Sequence, residues 1–375
     1  MRPIYINGRF LTQPMSGVQR YAYEIVKALD ERAGAANAGQ EWMLLAPPGA
    51  PAPKLRAIGF KTIGTRAGHL WDQTSFAHAS RGGVALSLAM SGPLFHPRHL
   101  VILHDAAAFR RPEHFSRAYG AFHRMAERIL SRTARIGTVS QFSRRELAAV
   151  LGLDAQAILV AGNGADHAGT AFDESALDRH GLRGEKFFLT LGNLTRNKNL
   201  AVAARALGRL RPGAAKLVAV GSVNAGVFGA AAPPAAAANV IFPGRLPDAE
   251  VAGLMRAATA FIFPSLYEGF GVPPLEAMAN GCPVLSSNAE AMREVCGDAV
   301  DYFSPTDDAR LAHLMREAVA DAGAWRARRI DAGRARVKLY SWRNSARVIA
   351  EACLDLAAAA PARGPLPAKD ACARS

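Results

Sequence analysis

Cysteine is scarce in this chain, with four in 375 residues. Cys282, Cys296, Cys353 and Cys372 are widely spaced, which argues against a disulfide-stapled scaffold and against a clustered cysteine metal site. Long apolar runs are missing too. The longest are about five to eight residues, far below the roughly 20 that span a bilayer. The opening MRPIYINGRFL is broken by polar residues and has no signal-peptide core. The expectation is a cytoplasmic protein, with contact at the inner membrane face left open. Zinc-finger spacing, a long basic tail and an aromatic-and-basic sheet motif are all lacking, so nucleic acid is not an expected partner. His96, His99, His114 and His123 show no ligand spacing, and no metal is expected.

What is present is a globular composition: 50% hydrophobic and 20% charged. The length suits two domains of roughly 150 to 180 residues each. Forty-five basic residues against 31 acidic ones give a net charge of +14. Such a surface favours anionic partners, from phosphorylated small molecules to anionic lipid, although it is also what a chain uniformly rich in Arg would show.

Short apolar runs alternate with amphipathic stretches, the pattern of a parallel sheet covered on both faces. In the first half, strands are predicted near 4–6, 42–45, 84–88, 100–103, 135–139 and 158–160, with helices over 18–29, 116–131 and 144–151. The pattern restarts with strands near 187–191, 217–220, 240–242, 260–263 and 284–285. Between the halves, over about 168–183, periodicity lapses and Gly and Asp appear. The predicted organisation is an N-terminal α/β domain over 1–170, a second over 184–340, a helix over 341–358 and a disordered tail over 359–375. No sequence repeat relates the halves. Ligands of such sheets bind outside the carboxyl ends of the strands.

The densest signal is FPSLYEGFGVPPLEAMANGCPV, starting at Phe263. A buried strand leads into a loop with Glu268, then Gly269, Phe270 and Gly271, and Pro273 or Pro274 opens a short helix with Glu276 expected in its first turn. Paired carboxylates accept hydrogen bonds from adjacent sugar or ribose hydroxyls, while loop amides and a helix N-terminus suit a diphosphate. A helix-capping Glu276 and a solvated Glu268 is the plain alternative. In LGNLTRNKNL, from Leu191, a strand stops at Gly192 and a basic loop with Arg196 and Lys198 precedes a helix. Those cations suit donor phosphates, though such loops are often plain surface, and Asn199 reads as a cap. In the first half, Gly17 opens a helix, and His104 and Asp105 end a strand, either as a functional pair or as a structural one. From Arg110 to Arg145 the chain is basic. Arg117, Arg124 and Arg128 share one helix face near Phe115, Tyr119 and Phe122, a surface suited to anionic headgroups or a lipid diphosphate.

Together these residues resemble glycosyltransferase family 4, retaining enzymes of the GT-B fold with two Rossmann-like domains facing across a cleft. The resemblance runs from about Tyr5 to Ala350. It rests most on Glu268 and Glu276 as a Glu-x7-Glu motif, with support from GVQRY at Gly17, the His104-Asp105 strand end, VSQFS at Val139, NGAD at Asn163, the Leu191 segment and Trp342. The resemblance implies an N-terminal acceptor domain, a C-terminal donor domain, and a last helix that returns to the first. It implies that Glu268 holds hydroxyls of the donor sugar, Glu276 the ribose, and Lys198 the diphosphate. Gly17 would admit phosphates and His104 would face the transferred sugar. Many members carry a phosphate-binding Arg where this chain has Asn193, and Arg196 is the candidate substitute. The run EAMREVCGDA from Glu290 resembles O-antigen and exopolysaccharide enzymes, many using GDP-mannose, although the Leu-Pro usual in that branch is absent. The implied reaction is metal-independent mannosyl transfer, with no cofactor beyond the nucleotide sugar, onto an undecaprenyl-diphosphate-linked saccharide. Rival readings are a UDP-sugar donor or soluble acceptor, a nucleotide-sugar epimerase or a sucrose or trehalose phosphate synthase, and a non-enzymatic anion-binding protein.

Overall fold

The structure, a computed structural model, describes residues 1–36, 39–192, 195–222, 239–321 and 323–359. Asn193, the segment 229–238, Cys372 and the predicted tail beyond 359 lie outside the described residues. The chain divides into two compact units. The first comprises the chain up to Asn163 together with the stretch from Ser341 onward, and the second runs from Gly164 to Tyr340.

The first unit is built on seven parallel strands: β1 (Ile4–Asn7), β2 (Trp42–Ala46), β3 (Gly59–Thr62), β4 (Val84–Ser87), β5 (His99–Ile102), β6 (Arg135–Thr138) and β7 (Leu159–Val160). Their order is β3-β2-β1-β4-β5-β6-β7. Strands β4 and β5 are buried along their whole length, because a parallel sheet covered on both faces needs continuous apolar runs instead of alternation. The helix Gln141–Leu151 starts where Ser140 Oγ accepts from Ser143 N and stops at Gly152, whose φ of +68° is left-handed. The helix Trp342–Ala358 belongs to this unit. It lies along the helix Gly17–Ala36, where Trp342 meets the Tyr21 ring edge-on with centroids 5.8 Å apart. Ser345 Oγ donates to Gly162 O at 2.6 Å, and Cys353 is fully buried.

The second unit has six parallel strands: β8 (Phe187–Leu191), β9 (Lys216–Val220), β10 (Val240–Gly244), β11 (Ala260–Phe263), β12 (Val284–Ser287) and β13 (Asp301–Phe303). Their order is β10-β9-β8-β11-β12-β13. Phe188, Leu217, Ile262 and Leu285 supply the sheet side of a core closed by the helices Leu200–Gly208 and Asp308–Ala320.

The change of unit falls at Asn163, earlier than the lapse in periodicity over 168–183 suggested. That stretch packs against the second unit's helices instead of spanning as a free linker. Asp173 N donates to Ala249 O at 2.8 Å. Gly169, at φ +78°, leaves room for a Cβ only 3.0 Å from Ala279 O, and a Cβ on Gly253 would fall 2.1 Å from Asp173 O. Of the two glycines in that stretch, Gly169 is a close-approach position, while Gly181, at φ +59°, faces open space.

Candidate functional site

In the second sheet the strand order reverses between β8 and β11, and the crevice outside the carboxyl ends at such a reversal is where ligands of doubly wound sheets bind. The loops leaving these two strands carry the basic motif and the carboxylate motif. They are stitched together. Leu266 N donates to Asn197 O at 2.9 Å, and Asn197 Nδ2 donates to Tyr267 O at 2.7 Å. Asn199 takes the left-handed conformation at φ +49°. Its amide does not cap the following helix but donates to Pro264 O at 3.1 Å and Pro305 O at 2.7 Å.

This lattice aims Lys198 at Glu268, with Nζ donating to Oε1 at 2.5 Å. The lysine stem passes over Gly192, whose φ is +130°, and its ammonium lies 5.2 Å from the Phe263 ring centroid. Both side chains keep a route to solvent, 24% exposed for Lys198 and 15% for Glu268. An ammonium has three donors and a carboxylate about four acceptor sites, so one shared bond leaves each group capacity for a ligand. Nearby, Ser265 Oγ and Asn197 Oδ1 are buried without a hydrogen-bond partner among the described residues. Both atoms have acceptor capacity that a ligand or water can meet. Arg196 sits exposed in the same turn and forms no ion pair among the described residues. Asn193 lies outside them.

Gly269, Phe270 and Gly271 continue the loop. Phe270 is buried and packs edge-on to Tyr340, centroids 5.5 Å apart. Gly271 has φ +84°, and a Cβ there would lie 2.3 Å from Met292 Cε, so the turn demands glycine. The helix it opens, Val272–Ala279, has Pro273 and Pro274 in its first turn. Proline has no N–H, so only Val272 and Leu275 remain as first-turn donors, and the expected anion cradle at this helix end is half-furnished. Glu276 falls in the second turn, not the first. His167 Nε2 is 2.9 Å from Glu276 Oε1. The pair borders a cavity of about 140 Å³ with Met255 and Asn280. His167 is one residue that sequence reasoning missed. Its signal was its place directly after the Asn163–Asp166 segment.

In the first unit His104 follows β5 and is buried, its ring 4.7 Å from that of Tyr21. Its Nε2 lies 2.9 Å from Leu88 O, and a carbonyl only accepts, so Nε2 carries the proton and Nδ1 is the free acceptor. Burial lowers the pKa to about 4, with the Leu88 bond opposing, so the ring is neutral at physiological pH. Asp105 Oδ1 accepts from Ala107 N at 2.7 Å and shapes the turn Ala107–Arg110. Gly17 has no atom within 4 Å of where a Cβ would stand, so the space over this helix start is open. At the order reversal between β1 and β4 lies a buried set absent from the sequence reading. Asn7 Nδ2 donates to Asp72 Oδ1 at 2.8 Å, and Arg9 Nε is 3.0 Å from Asp72 Oδ2. A mostly apolar cavity of about 240 Å³ is lined by His69, Leu70, Met90, Phe122 and His123.

The arginine face expected on the helix Arg117–Thr133 is only partly presented. Arg124 donates to Ala108 O at 3.1 Å, and Arg128 stands 5.2 Å from the Phe109 ring centroid. Arg110 is held by Glu146 at 2.7 Å. The helix instead exposes Tyr119, Phe122 and Met125 beside Arg117. Among the described residues no group of three His, Cys, Asp or Glu is placed to hold a metal, and no helix is long and apolar enough to cross a membrane.

Residues 173–336 match the profile of the family described as glycosyl transferases group 1. Over 102 residues the chain is 43% identical to "O-antigen chain mannosyltransferase B" of Escherichia coli, covering 27% of this chain and 26% of that protein. Over 232 residues it is 34% identical to a phosphatidyl-myo-inositol mannosyltransferase of Mycobacterium tuberculosis, covering 60% and 59%. The matches therefore span from about a quarter to under two thirds of these relatives' own length. Among solved structures, sucrose-phosphate synthase from Thermosynechococcus elongatus superposes with a TM-score of 0.71 at 18% identity, covering 95% of this chain and 99% of that one. That likeness shows the fold: GT-B, with two Rossmann-like units in one chain.

Proposed function

We propose that this chain is a retaining glycosyltransferase of family 4 that moves a hexose, mannose from GDP-mannose, onto a lipid-linked saccharide acceptor in surface polysaccharide synthesis. The observation that carries the reading is the Lys198–Glu268 pair at the order reversal of the second sheet, within the segment related to glycosyl transferases group 1. The choice of mannose rests on the printed names of two relatives, both mannosyltransferases.

In this reading Lys198 binds the donor diphosphate with the donors left over from Glu268, and Arg196 adds charge from the same turn. The amides of Gly269, Phe270 and Gly271 approach the donor, and Glu268 accepts from sugar hydroxyls. Glu276, oriented by His167, accepts from the ribose. The leaving phosphate takes the acceptor's proton as the new bond forms on the face being vacated, so neither glutamate is a covalent nucleophile. Positive charge on Lys198 supplies the leaving-group stabilisation that a cation gives elsewhere, which makes the reaction metal-independent. For the first unit we assign acceptor binding, with Gly17 also admitting the donor phosphates and His104 Nδ1 accepting from the transferred sugar. Its exposed Tyr119, Phe122, Met125 and Arg117 make peripheral contact with anionic membrane. Flotation equal on neutral and anionic vesicles would exclude that contact.

The test is a panel of nucleotide sugars offered to purified protein with and without EDTA. GDP-mannose turnover that survives EDTA is the expected result. Turnover of a UDP-sugar alone would remove mannose and keep the mechanism, and no donor turnover would remove the enzyme reading. Glu268→Gln is expected to abolish most sugar-dependent turnover while GDP still binds. Undiminished turnover would refute the role given to Glu268.

A further inference from the structure

The first unit has a second cavity, of about 330 Å³, at the opposite end of its sheet from His104. It is lined where the chain enters β5 and β6 and just before β7, that is, at the amino ends of these strands. Sites of doubly wound sheets lie at the carboxyl ends, so this cavity is not part of the transfer site proposed above. Its volume is within the range of small-molecule pockets.

Three arginines contribute to its lining. Arg98 is only 8% exposed, and its Nε is buried with no hydrogen-bond partner among the described residues. Arg132 is exposed at the rim, and neither it nor Arg98 forms an ion pair among the described residues. Arg135 faces one carboxylate, Asp355 at 3.4 Å, a pair largely open to solvent. Arg2 lies close enough for its charge, after burial, to weaken Arg98's hold on its proton. A buried guanidinium N–H with no acceptor is costly, and a bound anion would satisfy it. The rest of the wall is apolar: Ile136 and Ile158 from the core, and Leu356 from the last helix.

We propose that this cavity binds a phosphate-headed amphiphile, the phosphate on Arg98, Arg132 and Arg135 and the hydrocarbon against Ile136, Ile158 and Leu356. Planar guanidinium groups match phosphate oxygens in pairs, and the apolar wall distinguishes such a ligand from a bare anion. The site is remote from the transferred sugar, so its occupancy is read by binding alone.

The experiment is calorimetric titration of the full chain with geranyl phosphate, with geraniol and inorganic phosphate as separate arms. Geranyl phosphate is expected to bind at least tenfold more tightly than either. The rim variant Arg132→Gln/Arg135→Gln, which changes no buried group, should weaken it at least tenfold, and Leu356→Trp should block it by filling the mouth. Both variants must keep the parent's unfolding transition. No binding, equal binding of geraniol, equal binding of inorganic phosphate, or full binding by both variants would each overturn the proposal. Because no donor or turnover is involved, the result does not depend on whether the chain transfers sugar.

Discussion

Glu127 offers a measurable consequence of burial. It lies in the helix Arg117–Thr133, 1% exposed, and neither carboxylate oxygen has a hydrogen-bond partner among the described residues. Burial first, and the nearby charge of Asp105 second, push its pKa from an ordinary 4.5 up to about 8. The unfolded chain releases this proton near 4.5 while the folded chain holds it to about 8. Between those values the folded state binds more protons, so stability falls as pH rises. At about 1.4 kcal/mol for each tenfold in proton affinity, the full effect is about 5 kcal/mol. That is a large part of the roughly 5–15 kcal/mol that holds a domain together. Glu127→Gln keeps the shape and removes the ionisation. Its amide brings a constant offset, so the readout is how the difference between variant and parent changes with pH. Urea unfolding followed by tryptophan fluorescence suits the measurement in a Trp325→Phe background. The remaining Trp42, Trp71 and Trp342 then all report on the first unit. The variant should gain on the parent by several kcal/mol between pH 5 and pH 9. A flat difference, or one that moves in the parent's favour at high pH, would refute the reasoning.

Two glycines of the proposed donor and acceptor machinery should respond oppositely to alanine. Gly271→Ala must displace Met292 and hold a left-handed residue, at a cost of roughly 2–4 kcal/mol. Gly17→Ala meets open space and should leave the unfolding midpoint unchanged while weakening donor binding, and equal thermal shifts in the two variants would contradict this. Lys198→Ala should lower kcat about 10²–10³-fold, the usual effect of losing one donor to developing negative charge; a loss under fivefold would remove Lys198 from the diphosphate. His104, with its pKa depressed to about 4, stays neutral through the working range and costs stability only as pH falls from about 6.5 through 4. Transfer rates of the parent and His104→Gln should therefore run parallel from pH 5.5 to 8, and an acidic limb near 6.5 lost in the variant would show that His104 titrates there.

The strands near the middle of each sheet were legible because burial on both faces forces continuous apolar runs such as Phe187–Leu191 and Ala260–Phe263. The two strands without a sequence prediction, β3 and β13, are both at sheet edges. Gly59–Thr62 has no buried residue except for partial cover, and it reads as loop. The carboxylate motif was legible as residues but not as geometry. That Lys198 and Glu268 meet depends on Asn197 and Asn199 reaching carbonyls 65 to 106 positions away, and asparagine next to a lysine carries no such message in sequence. His167 orienting Glu276 is a contact across 109 positions. The helix start after Gly271 shows the opposite failure, since the paired prolines were visible as a helix opener while their missing N–H groups went uncounted.

The first unit's division into two stretches also bears on how the protein is made. During synthesis the second unit, continuous from Gly164 to Tyr340, emerges from the ribosome before the helix Trp342–Ala358 is free to dock. Until then Tyr21 has no Trp342 against it and Gly162 no hydroxyl from Ser345. The part of the chain translated first is thus the last to close its core, the reverse of the usual vectorial order. A chain released a few dozen codons early would carry a finished second unit joined to a first unit without its last helix, a natural substrate for chaperones and proteases.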